Sequence, residues 1–433
     1  MLYLSQLLGT PVENRRGVRI GKISGVIIAA AQVGVPGAVY PSALLVEGEQ
    51  GQSWRVPTSA VAWQGDALRL RVPLEQLAGQ AVEAGEQELD LAREVLDKQV
   101  IDIARKKAVR VNDVCMGDDW RLLGIDDSTV GLLRRLAPAW LLGPRRNVAS
   151  GSLIPWEHIE LIGTQPPDTE TPPAGGEARI SGPLSRTPSG HLAELHPADI
   201  ADIVHQLTPG QGARLIESLD DATAAGALEE IETERQTHIL DNISLDRAAD
   251  ILEAMDPDEA ADLLAKLPPE RAQELLNLMT PEESEDVQDL LKYEEDTAGG
   301  LMTTDYVVVN QAETVAAALE AVRNSIKEDI RSGYVYCVAD VSQDECVLLG
   351  VVSLWDLLVA PPTQPLQELM ETDIVTVHPD ADPRAVAEIM AKYNLLAVPV
   401  VNAEGVLEGI VTVDDALDVL LPPERRRKPT RMY

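Results

Sequence analysis

The sequence predicts a multidomain chain: small β-barrels at the N-terminus, an all-α superhelix of short helices in the centre, and a pair of α/β modules at the C-terminus. Three observations predict it. Short Val/Ile segments alternate with turns through residues 1–163. Apolar residues recur every 12 positions through residues 191–292. A strand–helix–strand–strand–helix pattern then occurs twice between 296 and 421. At 433 residues the chain is too long for one ordinary core, so several are expected.

The first region divides into similar halves, 1–80 and 86–163. Each opens on a short helix-like lead, Leu4 to Leu8 and Leu91 to Leu96. Strand candidates follow at Arg19 to Ile28, Ala43 to Glu47, Ser53 to Pro57 and Ala67 to Val72 in the first half. In the second they are Val100 to Ala104, Val109 to Asn112, Arg121 to Asp126 and Ile154 to Ile162. Residues 164–190 are rich in Pro, Gly, Thr and Ser with no apolar period, which predicts an extended linker.

The central repeat is carried by Leu195, Leu207, Leu219, Ile231, Ile243, Met255, Leu267, Met279 and Leu291. Four residues before most of them stands a second apolar residue, such as Ile203, Leu215, Ile239, Ile251, Leu263 and Val287. Spacings of three and four mark one helical face. A period of 12 holds one short helix and a turn, and helices that short persist only by stacking on one another. Thr208-Pro209, Asp256-Pro257 and Thr280-Pro281 place a capping residue before a Pro at the first helical position. Thr280 with Glu283 fits a capping box, and Asp256 with Glu259 is a near variant. Part of the acid in this region thus has a structural use.

The third region is duplicated. LMTTDYVVVNQAETVAAALEAV from Leu301 parallels LMETDIVTVHPDADPRAVAEIM from Leu369, and GVVSLWDLL from Gly350 parallels GIVTVDDAL from Gly409. The modules are expected at 296–362 and 363–421, with a basic tail at 422–433.

The net charge of −35 is concentrated. Residues 1–163 carry −1, residues 196–296 carry −21 and residues 297–421 carry −15, whereas the last 12 carry +4. Such a field attracts cations and repels nucleic acid and anionic lipid, which argues against nucleic acid as a partner. Cys115, Cys337 and Cys346 have no CxxC spacing, which fits a reducing cytoplasm and argues against a zinc or disulfide framework. The longest uncharged run, Ser24 to Val46, is broken by Gly34, Pro36, Gly37 and Pro41, so no spanning helix and no signal peptide are expected. The six histidines are scattered, and GxSxG, HExxH and P-loop motifs are absent from the sequence, so no enzyme is expected. The chain has no Phe, for which we have no physical account.

The Gly-h-h-Ser/Thr-x-x-Asp element that ends each α/β unit resembles the CBS-domain signature. Just upstream lies YEEDTAGGLM, from Tyr293 to Met302. Helical repeat, this junction and a CBS pair, in that order over about 190–421, resemble the cytosolic half of MgtE-type magnesium transporters. Residues 1–163, with REVLDKQVID and VRVNDV, resemble tandem PRC-barrel domains, which serve elsewhere as docking modules. Family members continue into a connecting helix and a transmembrane channel. Here Leu421 is followed by PPERRRKPTRMY, so the channel is expected to be missing.

The resemblance implies Mg²⁺ ligands at Asp415, Asp418 and Asp382 in the second CBS module and at Asp258, Glu259 and Asp262 on the helical side. Asn394 and Arg384 depart from the family pattern, standing where acids are expected. The alternative role of Asp415, Asp258 and Glu259 is at helix N-termini. CBS pairs also bind adenine nucleotides such as ATP; Thr412 and Ser353 would then approach phosphate, and Asp415 or Asp356 the ribose, the alternative again being helix capping. Carboxylates facing each other across a domain gap repel, and Mg²⁺, which keeps its waters and takes oxygen ligands, offsets that repulsion. The expected protein is a cytoplasmic Mg²⁺ sensor, homodimeric through its CBS pair, with a protein partner on the PRC-like region, a membrane transporter being one candidate. The competing expectation is an adenine-nucleotide-sensing CBS adaptor. A PRC-led ribosome or RNA factor is disfavoured by acidity.

Overall fold

The computed structural model describes residues 1–48, 52–77, 85, 87–136, 153–162, 192–326, 332–341 and 346–420. The expected linker 164–190 and basic tail 422–433 lie outside the described residues. Contacts divide the chain into two units, Met1–Asp220 and Asp221–Tyr433.

The first unit opens with β1 (Leu2–Tyr3), α1 (Leu4–Leu7), β2 (Pro11–Glu13), β3 (Arg19–Ala29), β4 (Ala43–Glu47), β5 (Ser53–Pro57), β6 (Val61–Gln64) and β7 (Ala67–Leu70). Its second half contains β8 (Glu88–Asp90), β9 (Gln99–Asp102), β10 (Lys107–Arg110), β11 (Asp113–Met116), β12 (Leu122–Asp126), α2 (Thr129–Leu136), β13 (Leu153–Pro155) and β14 (Ile159–Leu161). The expected Ile154 to Ile162 strand is divided between β13 and β14 by a turn at Trp156–His158, where the Trp156 indole donates to the Gln32 carbonyl at 3.0 Å.

Three sheets result. The largest runs β5-β4-β3-β2-β7-β6, with β8 added along β3; the others run β1-β11-β12-β13 and β10-β9-β14. Each half therefore lends its lead strand to the other. Tyr3 lies opposite Cys115, and Asp90 lies opposite Ile27. Leu4, Val26, Leu91, Ile125 and Ile159 are buried in one shared core. Of the expected pair of small barrels the sheet-rich architecture is present, and no closed barrel is found among the described residues. Because the lead of each half completes the sheet of the other, it does not return to close its own.

Two helices of the repeat belong to this unit, α3 (Pro197–His205) and α4 (Pro209–Ser218). Helix α3 rests on β10, with Lys106 Nζ 2.5 Å from Asp199 and the Ala108 N–H donating to Gln206 Oε1 at 3.2 Å.

In the second unit the repeat continues as α5 (Asp221–Glu229), α6 (Thr233–Leu240), α7 (Leu245–Glu253), α8 (Pro257–Ala265), α9 (Pro269–Leu278) and α10 (Pro281–Leu290). The predicted superhelix of short helices is present, with a refinement: helices pack on the neighbour two places along, α5 on α7, α6 on α8, α7 on α9 and α8 on α10. The structural repeat is thus 24 residues. The hydrogen bonds show it. Glu229 Oε1 accepts from the Asp256 N–H at 3.1 Å, and 24 residues later Glu253 accepts from the Thr280 N–H. Neither Asp256 nor Thr280 makes the predicted side-chain cap. A glutamate ending the helix three places earlier takes the N–H of the residue that precedes each helix.

The α/β pair contains β15 (Val307–Asn310), α11 (Val315–Ser325), β16 (Tyr334–Val338), β17 (Leu348–Ser353) and α12 (Leu354–Val359), then α13 (Pro383–Tyr393), β18 (Ala397–Val401), β19 (Leu407–Thr412) and α14 (Val413–Leu420). The first module forms a β15-β16-β17 sheet. In the second the leading strand is reduced to a single parallel bridge, Val377 to Val400. Tyr336, Ala397, Leu407 and Ile410 are buried between the modules, and the Tyr306 ring meets Tyr336 edge-on at 5.8 Å.

The segment between α10 and β15 is strapped to the second module. Thr303 bridges Ile410, the Gly299 N–H donates to the Pro379 carbonyl at 2.8 Å, and Tyr293 Oη donates to Glu408 Oε2 at 3.2 Å. A Cβ at Gly299 would lie 2.4 Å from the Tyr293 ring, so close approach requires glycine there.

Candidate functional site

Helix α8 begins Pro257-Asp258-Glu259, and Pro257 fixes its first turn. Asp258 and Glu259 therefore lie where exposed N–H groups favour negative charge, and Asp262 follows one turn on. Helix α14 begins Val413-Asp414-Asp415. The fold brings these two acidic first turns together. Burial raises the Asp258 carboxyl well above its ordinary range, and the charges of Asp415, Glu259 and Asp256 push it further. Burial raises Glu259 to about 8, with Glu229, Asp415, Asp262 and Asp256 adding to the effect. Asp415 is held at about 7, first by burial and then by Asp414 and Asp256, although a hydrogen bond from Thr412 opposes this. Asp262 is held at about 6 by burial and by Glu295, with Lys266 opposing. The residues acting on Asp258, Glu259 and Asp415 are thus mostly other carboxylates.

Hydrogen bonding offsets only part of this charge. Asp258 Oδ1 is buried without a hydrogen-bond partner. A buried carboxylate oxygen left so calls for a counter-charge, a proton or water. Glu259, expected to cap its own helix, is replaced in that role by Glu229. The capping reading does hold in part for Asp415, because the Thr412 hydroxyl donates to both Asp414 and Asp415 at the start of α14. Among the described residues, no three His, Cys, Asp or Glu side chains converge as a ready-made metal-binding set. The arrangement suits a cation that keeps its water shell better than one gripped directly.

The other expected site residues are placed as follows. Asp382 is exposed and caps α13, accepting from the N–H groups of Arg384 and Ala385 at 2.9 and 3.2 Å. The side chain of Asp418 lies outside the described residues, although its backbone belongs to α14. Asn394 ends α13 in the left-handed conformation, φ 55°, which explains amide in place of acid at that position. Ser353 caps α12 by accepting from the Asp356 N–H at 3.1 Å, and its hydroxyl donates to Asp356 Oδ2 at 2.6 Å. Ser353–Asp356 and Thr412–Asp415 are thus the same device in the two modules.

Sequence reasoning missed Glu229, Asp256 and Glu295 as neighbours of the cluster. The signal for Glu229 was the 24-residue spacing: Glu229 and Glu253, like Asp256 and Thr280, occupy equivalent places.

A superhelix of short helices is thus joined by a strap to an α/β pair, with acidic first turns facing each other, and both parts match known domain families. The MgtE intracellular N domain matches residues 195–296, and the CBS domain matches 298–362 and 366–422. The chain is 45% identical over 129 residues to the magnesium transporter MgtE of Thermus thermophilus and 36% identical over 129 residues to that of Bacillus subtilis. Those stretches are 30% of this chain and 28% of each relative, so the chain spans little more than a quarter of the curated relatives it matches. The crystal structure of the cytosolic domain of the Mg²⁺ channel MgtE in complex with ATP matches with 38% identity and a TM-score of 0.50, covering 53% of this chain and 92% of that one. The soluble part of a magnesium transporter matches with 32% identity and a TM-score of 0.50, covering 53% and 89%. Residues 195–422 are therefore homologous to the cytosolic domains of MgtE magnesium transporters. Among the described residues, no helix is long and apolar enough to cross a membrane.

Proposed function

We propose that residues 195–422 form a Mg²⁺-sensing regulatory module without catalytic activity. A hydrated Mg²⁺ between α8 and α14 offsets the repulsion among Asp258, Glu259 and Asp415 and holds the helical domain closed on the CBS pair. The observation that carries this reading is Asp258 Oδ1, buried, without a hydrogen-bond partner and surrounded by other carboxylates. Homology to MgtE supports magnesium as the cation.

Small-angle scattering of the full chain tests it. Millimolar Mg²⁺ is expected to shrink the radius of gyration, and D258N/D415N is expected to abolish the response. If Mg²⁺ changes neither dimensions nor melting temperature, the reading fails.

A second ligand, an adenine nucleotide, is favoured by the repeated hydroxyl–carboxylate pairs Ser353–Asp356 and Thr412–Asp415, and by the ATP complex of the MgtE cytosolic domain. Calorimetric titration with ATP distinguishes it from the first. We also propose that the chain is a homodimer through the CBS pair. Trp355 and Val359 of α12 are 76% and 82% exposed, a large apolar surface for so short a helix. The resemblance of residues 1–163 to PRC barrels supports a docking role there, with a membrane transporter as one candidate partner, and the acidity of 196–421 disfavours nucleic acid. Cytoplasmic location follows as part of the same proposal.

A further inference from the structure

The two halves of the first unit share one turn but not its residues. After α1, the Gly9 N–H donates to the Ile23 carbonyl at 2.8 Å, and the Thr10 carbonyl accepts from the Ile23 N–H at 3.0 Å. After the Leu91–Val95 turn, the Asp97 N–H donates to the Val111 carbonyl at 2.8 Å, and the Lys98 carbonyl accepts from the Val111 N–H at 2.9 Å. Gly9 and Asp97 both take a positive φ, 84° and 70°. Glycine adopts that conformation freely, whereas aspartate does so at a cost. Gly9-Thr10-Pro11 satisfies the fold in the first half, so the fold does not ask for Asp97-Lys98-Gln99 in the second. Strain kept where an easier residue would serve points to another use.

These three residues line a cavity of about 380 Å³, together with Arg110 of β10 and Gln211 in the first turn of α4. Its walls present donors. Asp97 is the one carboxylate, and two arginines cover it: Arg110 Nε and Nη2 donate to Oδ1 at 2.8 and 2.6 Å, and Arg135 Nη2 lies 3.2 Å from Oδ2. Hydrogen bonds from Arg110, and then from Arg135, hold that carboxyl below the usual carboxylate range, so it is ionised and spent on them. Gln211 Oε1 accepts from the N–H and the hydroxyl of Thr208 at 3.1 and 2.8 Å, which leaves its amide nitrogen to donate. Arg110 Nη1 and the exposed Lys98 ammonium are free among the described residues. Lys98, Arg110 and Arg135 against Asp97 leave two positive charges in excess, in a region that carries −1 over residues 1–163. Converging donors with excess positive charge are the means by which proteins hold oxyanions.

We propose that this cavity binds a small dianionic oxyanion, a phosphate or a dicarboxylate, through Lys98, Arg110 and Gln211. The bound anion joins α4 to the β region, beside the Lys106–Asp199 and Ala108–Gln206 contacts that α3 already makes there. The proposal is independent of the Mg²⁺ reading, because none of its residues belongs to the acidic cluster.

The test is equilibrium dialysis of the full chain against radiolabelled inorganic phosphate and against radiolabelled succinate, without Mg²⁺ or nucleotide. Saturable, stoichiometric uptake at millimolar concentration is expected, and the anion held more tightly identifies the headgroup. K98A is expected to weaken binding about tenfold, since it removes a charge-assisted hydrogen bond. Q211E keeps the oxygen that accepts from Thr208, so the melting temperature of the anion-free protein is expected to stay as it is. Its new charge replaces the donor, and binding is expected to be lost. R15E, on an exposed turn elsewhere in the unit, is expected to bind as the parent does. Should Q211E lower the melting temperature, K98E, at an exposed side chain, carries the same expectation. Uptake of neither anion, uptake unchanged in the cavity variants, or an equal loss in R15E overturns the proposal.

Discussion

Glu259, Asp415 and Asp262 hold their protons to about 8, 7 and 6, against ordinary values near 4, and burial is the first cause for each. A carboxyl raised in the folded state binds its proton more tightly folded than unfolded. Its contribution is favourable at low pH and is lost as pH climbs through the raised values. The metal-free protein is therefore expected to melt at progressively lower temperature from about pH 5 to about pH 8, and Mg²⁺ to restore most of the loss at the upper end. A melting temperature that rises across that window contradicts this. By the same logic E259Q removes the cost of holding, at neutral pH, a proton that the unfolded chain releases, and is expected to stabilise the metal-free chain by about 1–2 kcal/mol while weakening its Mg²⁺ response. Denaturant titration with and without Mg²⁺ reads both effects. At this scale Asp258, Glu259, Asp262 and Asp415 were named through the resemblance and the charge of their regions, and the fold brings Asp258, Glu259 and Asp415 within reach of one another's charge. What could not be read was which acid does what. Asp382 matches the family pattern yet spends its oxygen on two N–H groups at a helix start, and only the fold reveals that Glu229 takes the cap expected of Glu259.

Among the elements, the repeat was the most legible. A 12-residue period located every helix, because helices this short must each bury one apolar stripe. The doubled period was not legible from apolar spacing alone, since packing on the neighbour two places along leaves the one-helix spacing unchanged. The β region was legible in part: Ala43–Glu47 and Ser53–Pro57 form as read, whereas β2, β6, β8 and β11 were not among the expected strands. The strand exchange between β1 and β11 and between β8 and β3 was not legible, because it leaves no mark in alternation patterns. Two elements invite a test. Arg134→Met leaves Asp113 and Asp126 buried without their cation and is expected to destabilise the first unit by about 3–5 kcal/mol; thermal denaturation followed in the near ultraviolet checks it. In the strap, Gly299→Ala would force a methyl into the Tyr293 ring and is expected to cost about 1–3 kcal/mol. A variant as stable as the parent would show that the strap yields easily and does not fix α10 to the second module.

For the whole molecule, charge and order of domains set the account. The net negative charge is concentrated in the helical repeat and the CBS pair, whereas in the β region 19 acids are balanced by 18 Lys and Arg. The proposed dimer belongs to this scale. Trp355→Glu is expected to shift the full chain from dimer to monomer in sedimentation equilibrium, since a buried charge replaces the most exposed aromatic of α12. An unchanged mass would place the interface elsewhere. The central claim is that Mg²⁺ takes the place of protons between α8 and α14. Its most direct measurement is calorimetric titration of the full chain with Mg²⁺ near neutral pH, in buffers of different ionisation enthalpy, for the parent and for D258N/D415N. The account predicts saturable binding with net proton release in the parent, and loss of both in the variant. Binding without proton release, or release unchanged in the variant, would contradict it.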